Sequence, residues 1–239
     1  MQEPVSPIQI TLPVRQLVEF LRRVGSIDNR FTGFDRALEG ARLHRKLQRA
    51  AVKEYPDYQA EAALKQDYTC AGIAYTLEGR ADGIFTAADG VTVVDEIKTT
   101  ACPAADITPD FAPEHWAQAI VYAAIYAAQH ELEEMRVQLT YFQVDEELIL
   151  RFERHYTAQQ LQEEVEALLA EYAPWARRAV EWKKARNSDL QAMQFPFPAY
   201  RPGQRAMAGE VYKVCRDGGQ LLCQAPTGIG KSMSVLFPA

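Results

Sequence analysis

Two patterns in the chain predict an α/β mixture of strands and helices, and a third marks a domain boundary. Between residues 60 and 100, runs rich in Tyr, Ile and Val are broken by the turn pairs "EG" and "ADG", as in a β-meander. Segments with apolar residues at helical spacing lie on both sides of that stretch, and two further strand-like runs follow in "MRVQLTYFQVDEELILRFERHY". Near the end, the three prolines and the glycine of "LQAMQFPFPAYRPGQ" mark a boundary, which predicts one domain over residues 1–190 and part of another over 191–239.

In chain order, "IQITL" reads as a short strand and "PVRQLVEFLRRVG" as a helix with Pro13 in its first turn and Gly25 at its end. A second helix is predicted from about Phe34 to Glu54, with Phe34, Leu38, Ala41 and Leu47 near one stripe. After the meander and the loop "ACPAADITPDFAP", the alanine-rich "EHWAQAIVYAAIYAAQHE" predicts a largely buried helix. The stretch "TAQQLQEEVEALLAEYAPWARRAVEWKKARN" is helical by pattern, with Pro174 expected to divide it in two. Its Trp175 and Trp182 could stack on nucleic-acid bases, but the favoured expectation is that they join the packing seam of Leu161, Val165, Leu168 and Tyr172. Beyond the boundary come a helix from about Gln204 to Arg216, a short strand "GQLLCQ", the loop "APTGIGKS" and the start of another helix.

The 239 residues, 48% hydrophobic and 24% charged, suffice for one full core and an appended element. No run reaches the roughly 18 to 20 apolar residues of a membrane span, and the start "MQEPVSPIQITLP" lacks a signal-peptide pattern. The expected location is therefore cytoplasmic, with no membrane partner. Cys70, Cys102, Cys215 and Cys223 form no CxxC pair and read as buried reduced thiols. The net charge of −6 is unevenly spread: residues 1–53 hold ten Lys or Arg against five acids, which leaves −11 to the remainder. A basic amino-terminal surface able to meet a phosphate backbone and an ordinary solvated helix face both fit that excess.

The chemistry concentrates in "VVDEIKTT". Strand alternation puts Glu96 and Lys98 on one face and Asp95 on the other. A hairpin across "TAADG" can bring Asp82 beside Glu96, and two converging carboxylates suit a hard cation such as Mg²⁺ or Mn²⁺, with the Ile97 carbonyl as a further ligand. Lys98 beside such an ion can orient an attacking water and offset negative charge in phosphodiester hydrolysis. The same short pattern also fits a solvent-facing ion pair on an edge strand. Gln118 and Tyr122 stand at i and i+4 on the buried helix, where an amide must find a partner.

Taken in order, Gly40-x-x-x-His44, Glu61, "GRADGI" with Asp82, "DEIKTT" with Glu96 and Lys98, and Gln118-x-x-x-Tyr122 resemble the RecB-type nucleases of the PD-(D/E)XK superfamily over residues 10–155. The resemblance implies a restriction-endonuclease-like α/β core with a mixed central sheet flanked by helices. It implies Asp82 and Glu96 as metal-binding carboxylates, His44 as an additional ligand and Lys98 as the catalytic lysine. Gln118 and Tyr122 become the pair that supports the lysine and contacts a DNA strand, single-stranded or branched by analogy with related fusions. Glu61 is a weaker match that equally fits a surface acid. Some relatives hold an iron–sulfur cluster with one cysteine before the core and three after it; the cysteine spacing here predicts none in the nuclease-like region.

"APTGIGKS" matches a phosphate loop: Thr227, Gly228 and Gly230 turn the backbone around phosphate, Lys231 reaches the β- and γ-phosphates and Ser232 binds Mg²⁺ with ATP. Upstream, "FPAYRPGQ" resembles the adenine-reading Q motif, with Gln204 as the reader. Together these resemble the start of DinG- or XPD-like superfamily 2 DNA helicases over residues 195–239. The Walker B acid and later helicase motifs are missing, so the expectation is a nuclease joined to part of a helicase motor, acting in DNA repair or processing. Two rival readings stand beside it: a DNA-binding module with weak cleavage, and a structural adaptor for the motor.

Overall fold

The computed structural model describes residues 8–24 and 33–239, with side chains from residue 40 onward in the second segment. The expected helix end at Gly25 lies outside the described residues, as do the side chains of Phe34 and Leu38. The chain divides into two compact units, Met1–Ala179 and Val180–Ala239.

The first unit is an α/β structure around a six-stranded mixed sheet. Its elements are strand β1 (Ile8–Pro13), helices α1 (Val14–Arg22) and α2 (Gly33–Glu54), strands β2 (Gln59–Cys70), β3 (Ile73–Thr86) and β4 (Thr92–Thr100), helix α3 (Pro113–His130), strands β5 (Glu134–Gln143) and β6 (Leu148–Thr157), and helix α4 (Ala158–Ala192), which continues into the second unit. The meander is present: β2 pairs antiparallel with β3, and β3 with β4. β1 and β5 add parallel to β3 and β4, and β6 closes the sheet antiparallel to β5.

Helices cover both faces. Val94 and Ile84 enter the main core with α1, α3 and α4, while their neighbours Val93 and Phe85 pack with Tyr58 and Ala51 on the opposite face, beneath α2. α3 is buried nearly all round, from Trp116 to Ala127, and stops at Glu131, whose φ of 53° is left-handed.

One irregularity positions the chemistry. Ile73, Tyr75, Leu77 and Ala81 enter the main core from odd positions of β3, but Ile84 enters from an even one, so the strand reverses its facing between Ala81 and Ile84. At that place the β2–β3 ladder pairs Ala60 with Gly83 and Ala62 with Ala81, leaving Glu61 and Asp82 opposite each other outside the ladder. Glu61 takes a left-handed φ of 53° there. Such a break re-aims a side chain out of the regular pleat.

Four sequence expectations are corrected. Pro174 does not divide α4, which runs unbroken through it; buried Ala173 and Ala176 on either side keep the helix seated on its packing stripe. That stripe is Leu161, Val165, Leu168, Leu169, Ala173 and Ala176, and both tryptophans fall outside it: Trp175 is 55% and Trp182 62% exposed. Trp175 meets Phe20 edge-on at 5.6 Å, and Trp182 lies under Arg186 at 5.1 Å. Cys215 and Cys223 are exposed rather than buried, and Cys70 and Cys102 are half-buried. "GQLLCQ" is not a strand, because no neighbouring strand among the described residues completes its backbone hydrogen bonds.

In the second unit, helix α5 (Gln204–Asp217) precedes that extended segment, and the short helix α6 (Lys231–Leu236) follows the glycine loop and packs against α5. Phe195 stacks on Tyr200 at 3.9 Å and meets Phe237 edge-on, which ties the proline-rich segment to the end of the chain.

Candidate active site

β4 is central, with β3 and β5 on its two edges, so its side chains are delivered into packed layers and not into water. Glu96 is 1% exposed. Its Oε1 accepts from Lys98 Nζ at 2.5 Å and from Gln118 Nε2 at 2.8 Å, so the edge-strand alternative fails. Its other oxygen, Oε2, is buried and has no hydrogen-bond partner. Asp95 points to the opposite face, where it accepts from Thr140 Oγ1 at 2.6 Å, and burial pushes its carboxyl up to about 6.

Asp82 arrives from the break in β3. Gly83 pairs with Asp95, and one step further the ladder gives way to a side-chain bond: the Ile97 N–H donates to Asp82 Oδ2 at 2.8 Å. The other oxygen, Oδ1, faces His44 Nδ1 at 3.7 Å. Burial raises the Asp82 carboxyl above its ordinary range, against the pull of His44 and the Ile97 amide. Burial pushes Glu96 up to about 8, although Lys98 beside it acts the other way. Two carboxyls whose ionised forms are this costly, one with a buried oxygen lacking a partner, suit a hard divalent cation that would stabilise both charges. Among the described residues no three acidic, His or Cys groups already stand in metal-holding geometry; Glu96 Oε1 is engaged by Lys98 and Gln118 instead.

α1, α2 and α3 wall a cavity of about 670 Å³ beside this pair, lined by His44, Gln48, Ile97, Lys98, His115 and Gln118, with Arg15, Arg45 and Glu61 also at its edge. Gln118 reaches both members of the β4 pair, with Oε1 3.4 Å from Lys98 Nζ. Tyr122, one turn further along α3, is buried against Gly79 of β3, where an added Cβ would lie 2.6 Å from its hydroxyl. Burial and nearby Glu96 push the Tyr122 phenol up to about 12.

Of the lining residues that sequence reading missed, three stand next to predicted site residues. Gln48 is buried, and its Nε2 donates to the Asp82 carbonyl and to Glu61 Oε1, each at 3.0 Å, filling the opened ladder from α2. Its signal was its place four residues after His44. His115, three residues before Gln118, bonds the Tyr141 hydroxyl through Nδ1 at 2.9 Å, and burial lowers its pKa to about 4. Arg45 follows His44 directly and carries no positional signal of its own.

In the second unit, the glycine loop is held by its own chain. Gly228 and Gly230 have φ of 85° and 83°, which glycine tolerates without penalty. Lys231 Nζ donates to the carbonyls of Ala225 and Pro226 at 3.0 and 3.1 Å. Gln204 is buried; its Nε2 donates to the Gly230 carbonyl at 3.1 Å and its Oε1 accepts from the Arg201 N–H at 3.0 Å. Thr227 lies in the turn of the loop, and Ser232 follows Lys231 on α6.

Residues 15–202 match the family profile of the PD-(D/E)XK nuclease superfamily. A stretch of 46 residues, 19% of the chain, is 37% identical to a probable ATP-dependent helicase of Methanocaldococcus jannaschii; the match spans 7% of that protein's length. Among solved structures, the chain is similar to SSO0001, with 18% identity, a TM-score of 0.45 and coverage of 70% of this chain and 78% of that one. It is also similar to an alkaline exonuclease from Laribacter hongkongensis, with 12% identity, a TM-score of 0.42 and coverage of 75% and 94%. The same exonuclease in complex with dAMP matches with 14% identity and a TM-score of 0.41, covering 77% of this chain and 94% of that one.

Proposed function

Since this chain belongs to the PD-(D/E)XK nuclease superfamily, we propose that it hydrolyses phosphodiester bonds in DNA with the aid of Mg²⁺ or Mn²⁺, on single-stranded or branched substrates. The observation that carries the reading is the pairing of buried Glu96 with Lys98, which lines the cavity, and of Asp82 with the Ile97 amide between them, with Glu96 Oε2 buried and lacking a partner. A pure DNA-binding surface has no need of two buried carboxyls beside a lysine.

Asp82 and Glu96 would hold the cation, with His44 and the Ile97 carbonyl as further ligands. When bound, a divalent ion supplies Lewis-acid polarisation of the phosphate and lowers the pKa of water. The chain's own residues do the rest. Lys98 Nζ, anchored by Glu96 and Gln118, stands where a water can be oriented and negative charge offset. Gln118 fixes the side chains of both β4 groups, and Tyr122 seats α3 against β3 so that Gln118 stays in reach. Gln48 holds the Asp82 backbone at the strand break. α2 and α3 shield the pair from bulk water, which strengthens each of these interactions.

We further read residues 191–239 as the beginning of an ATP-dependent DNA helicase motor, with Thr227, Gly228, Gly230, Lys231 and Ser232 around ATP and its Mg²⁺, and Gln204 as the adenine reader. The partial match to a helicase sequence supports this. Lys231→Ala is expected to weaken binding of a fluorescent ATP analogue; equal binding by both proteins refutes the reading.

The nuclease test uses labelled single-stranded DNA with Mn²⁺ or Mg²⁺. Wild type is expected to cleave, Lys98→Ala and Asp82→Ala to be slower by about 10²–10³-fold, and chelator to abolish cleavage. If wild type and both variants leave the DNA equally intact, the chain is a binding module or an adaptor.

A further inference from the structure

α2 carries two chemically different faces. Gly40, Ala41, His44 and Gln48 line the catalytic cavity at helical spacing. A second face, turned away from it, lines a separate cleft of about 770 Å³ whose charged members are Arg42, Arg45, Lys46, Arg49, Lys53 and the single acid Glu147. Arg45 lines both spaces. We infer that this face is a track for the phosphate backbone of a DNA strand, continuous with the catalytic cavity through Arg45. The inference rests on the nuclease reading for the identity of the strand.

Three observations favour a phosphate backbone as the occupant. Arg45, Lys46, Arg49 and Lys53 are exposed and make no ion pair among the described residues, in a protein whose net charge is −6. Placed at i, i+3 and i+4 to one another, they repel, so the helix carries this cluster against its own stability. No aromatic side chain interrupts the face among the described residues, and its large apolar side chains are half-buried Leu43 and exposed Val52 at its edge, too few for an apolar protein partner and consistent with a polyanion. From Arg45 to Lys53 the track runs about 12 Å along the helix at 1.5 Å per residue, enough for several phosphates beyond the one at Lys98. The charge contacts carry no base information, so the track would grip any sequence.

The test is binding, not cleavage. The full chain, in chelator, is titrated with fluorescein-labelled oligothymidylate at salt concentrations from 50 to 200 mM. The comparison is Arg45→Gln/Lys46→Gln/Arg49→Gln/Lys53→Gln, with Lys65→Gln/Arg178→Gln as a control for general charge; circular dichroism verifies that the variants keep their helix content. Four single-strand phosphate contacts contribute a slope of about 3 in log K against log salt, so wild type should lose about 50-fold more affinity than the quadruple variant across that range. The control should follow wild type. Equal slopes for wild type and the quadruple variant, or a wild-type chain that does not bind the oligonucleotide, overturn the track. The nuclease reading is decided separately by the cleavage assay, since no metal is present here.

Discussion

The two units each carry a short chemical pattern that the sequence places at the end of a strand, and they differ in whether that strand exists. β4 has β3 and β5 on either side, and its last residues bury Glu96 and place Lys98 on the cavity wall. Gly219–Gln224 has no ladder partner among the described residues, and Leu222 is 99% exposed before the glycine loop. In the first case neighbours raise the cost of ionisation and leave a carboxylate oxygen unsatisfied; in the second the loop's carbonyls are met by Lys231 and Gln204 of its own chain. A motif's chemistry thus depends on the lateral neighbours of the strand before it, which the motif itself does not encode.

The largest expected difference lies in the strands. Leu139 on β5 is fully buried and in register with Glu96, so it packs beside the site. Leu139→Ala should destabilise the first unit by about 2–5 kcal/mol in urea unfolding followed by circular dichroism. A loss well below 1 kcal/mol would mean that the buried ladder does not hold the site.

His115 tests the same point through pH. Burial holds its folded pKa at about 4 against 6.5 for the free side chain, with nearby Lys98 and Arg15 acting in the same direction. The neutral form is therefore the folded one. Its contribution is complete above pH 6.5 and is lost as pH falls towards 4, because the unfolded chain takes up the proton first. The loss is at most about 3 kcal/mol. His115→Asn should flatten the stability profile in that window; a variant as acid-sensitive as wild type would remove His115 as the cause.

Glycines sharpen the contrast between packing and backbone. At Gly79 a Cβ would stand 2.6 Å from the hydroxyl of buried Tyr122, so Gly79→Ala must displace a side chain that supports the site. The expected cost is about 1–3 kcal/mol, together with slower cleavage. At Gly228 nothing lies within 4 Å and only the φ of 85° resists a side chain. Gly228→Ala should cost about 1 kcal/mol and leave cleavage by the first unit unchanged. Equal losses of cleavage in the two variants would show that the effect is not packing around Tyr122.

Periodicity and alternation made most of the fold legible: the meander, the buried α3, and Glu96 and Lys98 on one face with Asp95 on the other all follow from local pattern. What escaped is tertiary. Gln48 looks like any polar helix residue until β3 breaks opposite Glu61, and that break is visible only in the ladder. Pro174 reads as a stop, yet burial of Ala173 and Ala176 carries the helix through it. Trp175 and Trp182 share a seven-residue spacing with the seam but sit outside the buried stripe, since spacing alone does not say which stripe meets the sheet.

The smallest expected effect closes the comparison. Leu222→Ala makes the same deletion as Leu139→Ala, in a segment whose strand-like composition the sequence cannot distinguish from β5. At 99% exposure the side chain buries no apolar surface that unfolding could expose. The substitution should therefore change stability by less than about 0.5 kcal/mol under the same urea protocol. A cost above 1 kcal/mol would mean that Leu222 is covered in solution and that Gly219–Gln224 finds a strand neighbour there; the contrast between the two units would then be one of pairing partner and not of sequence.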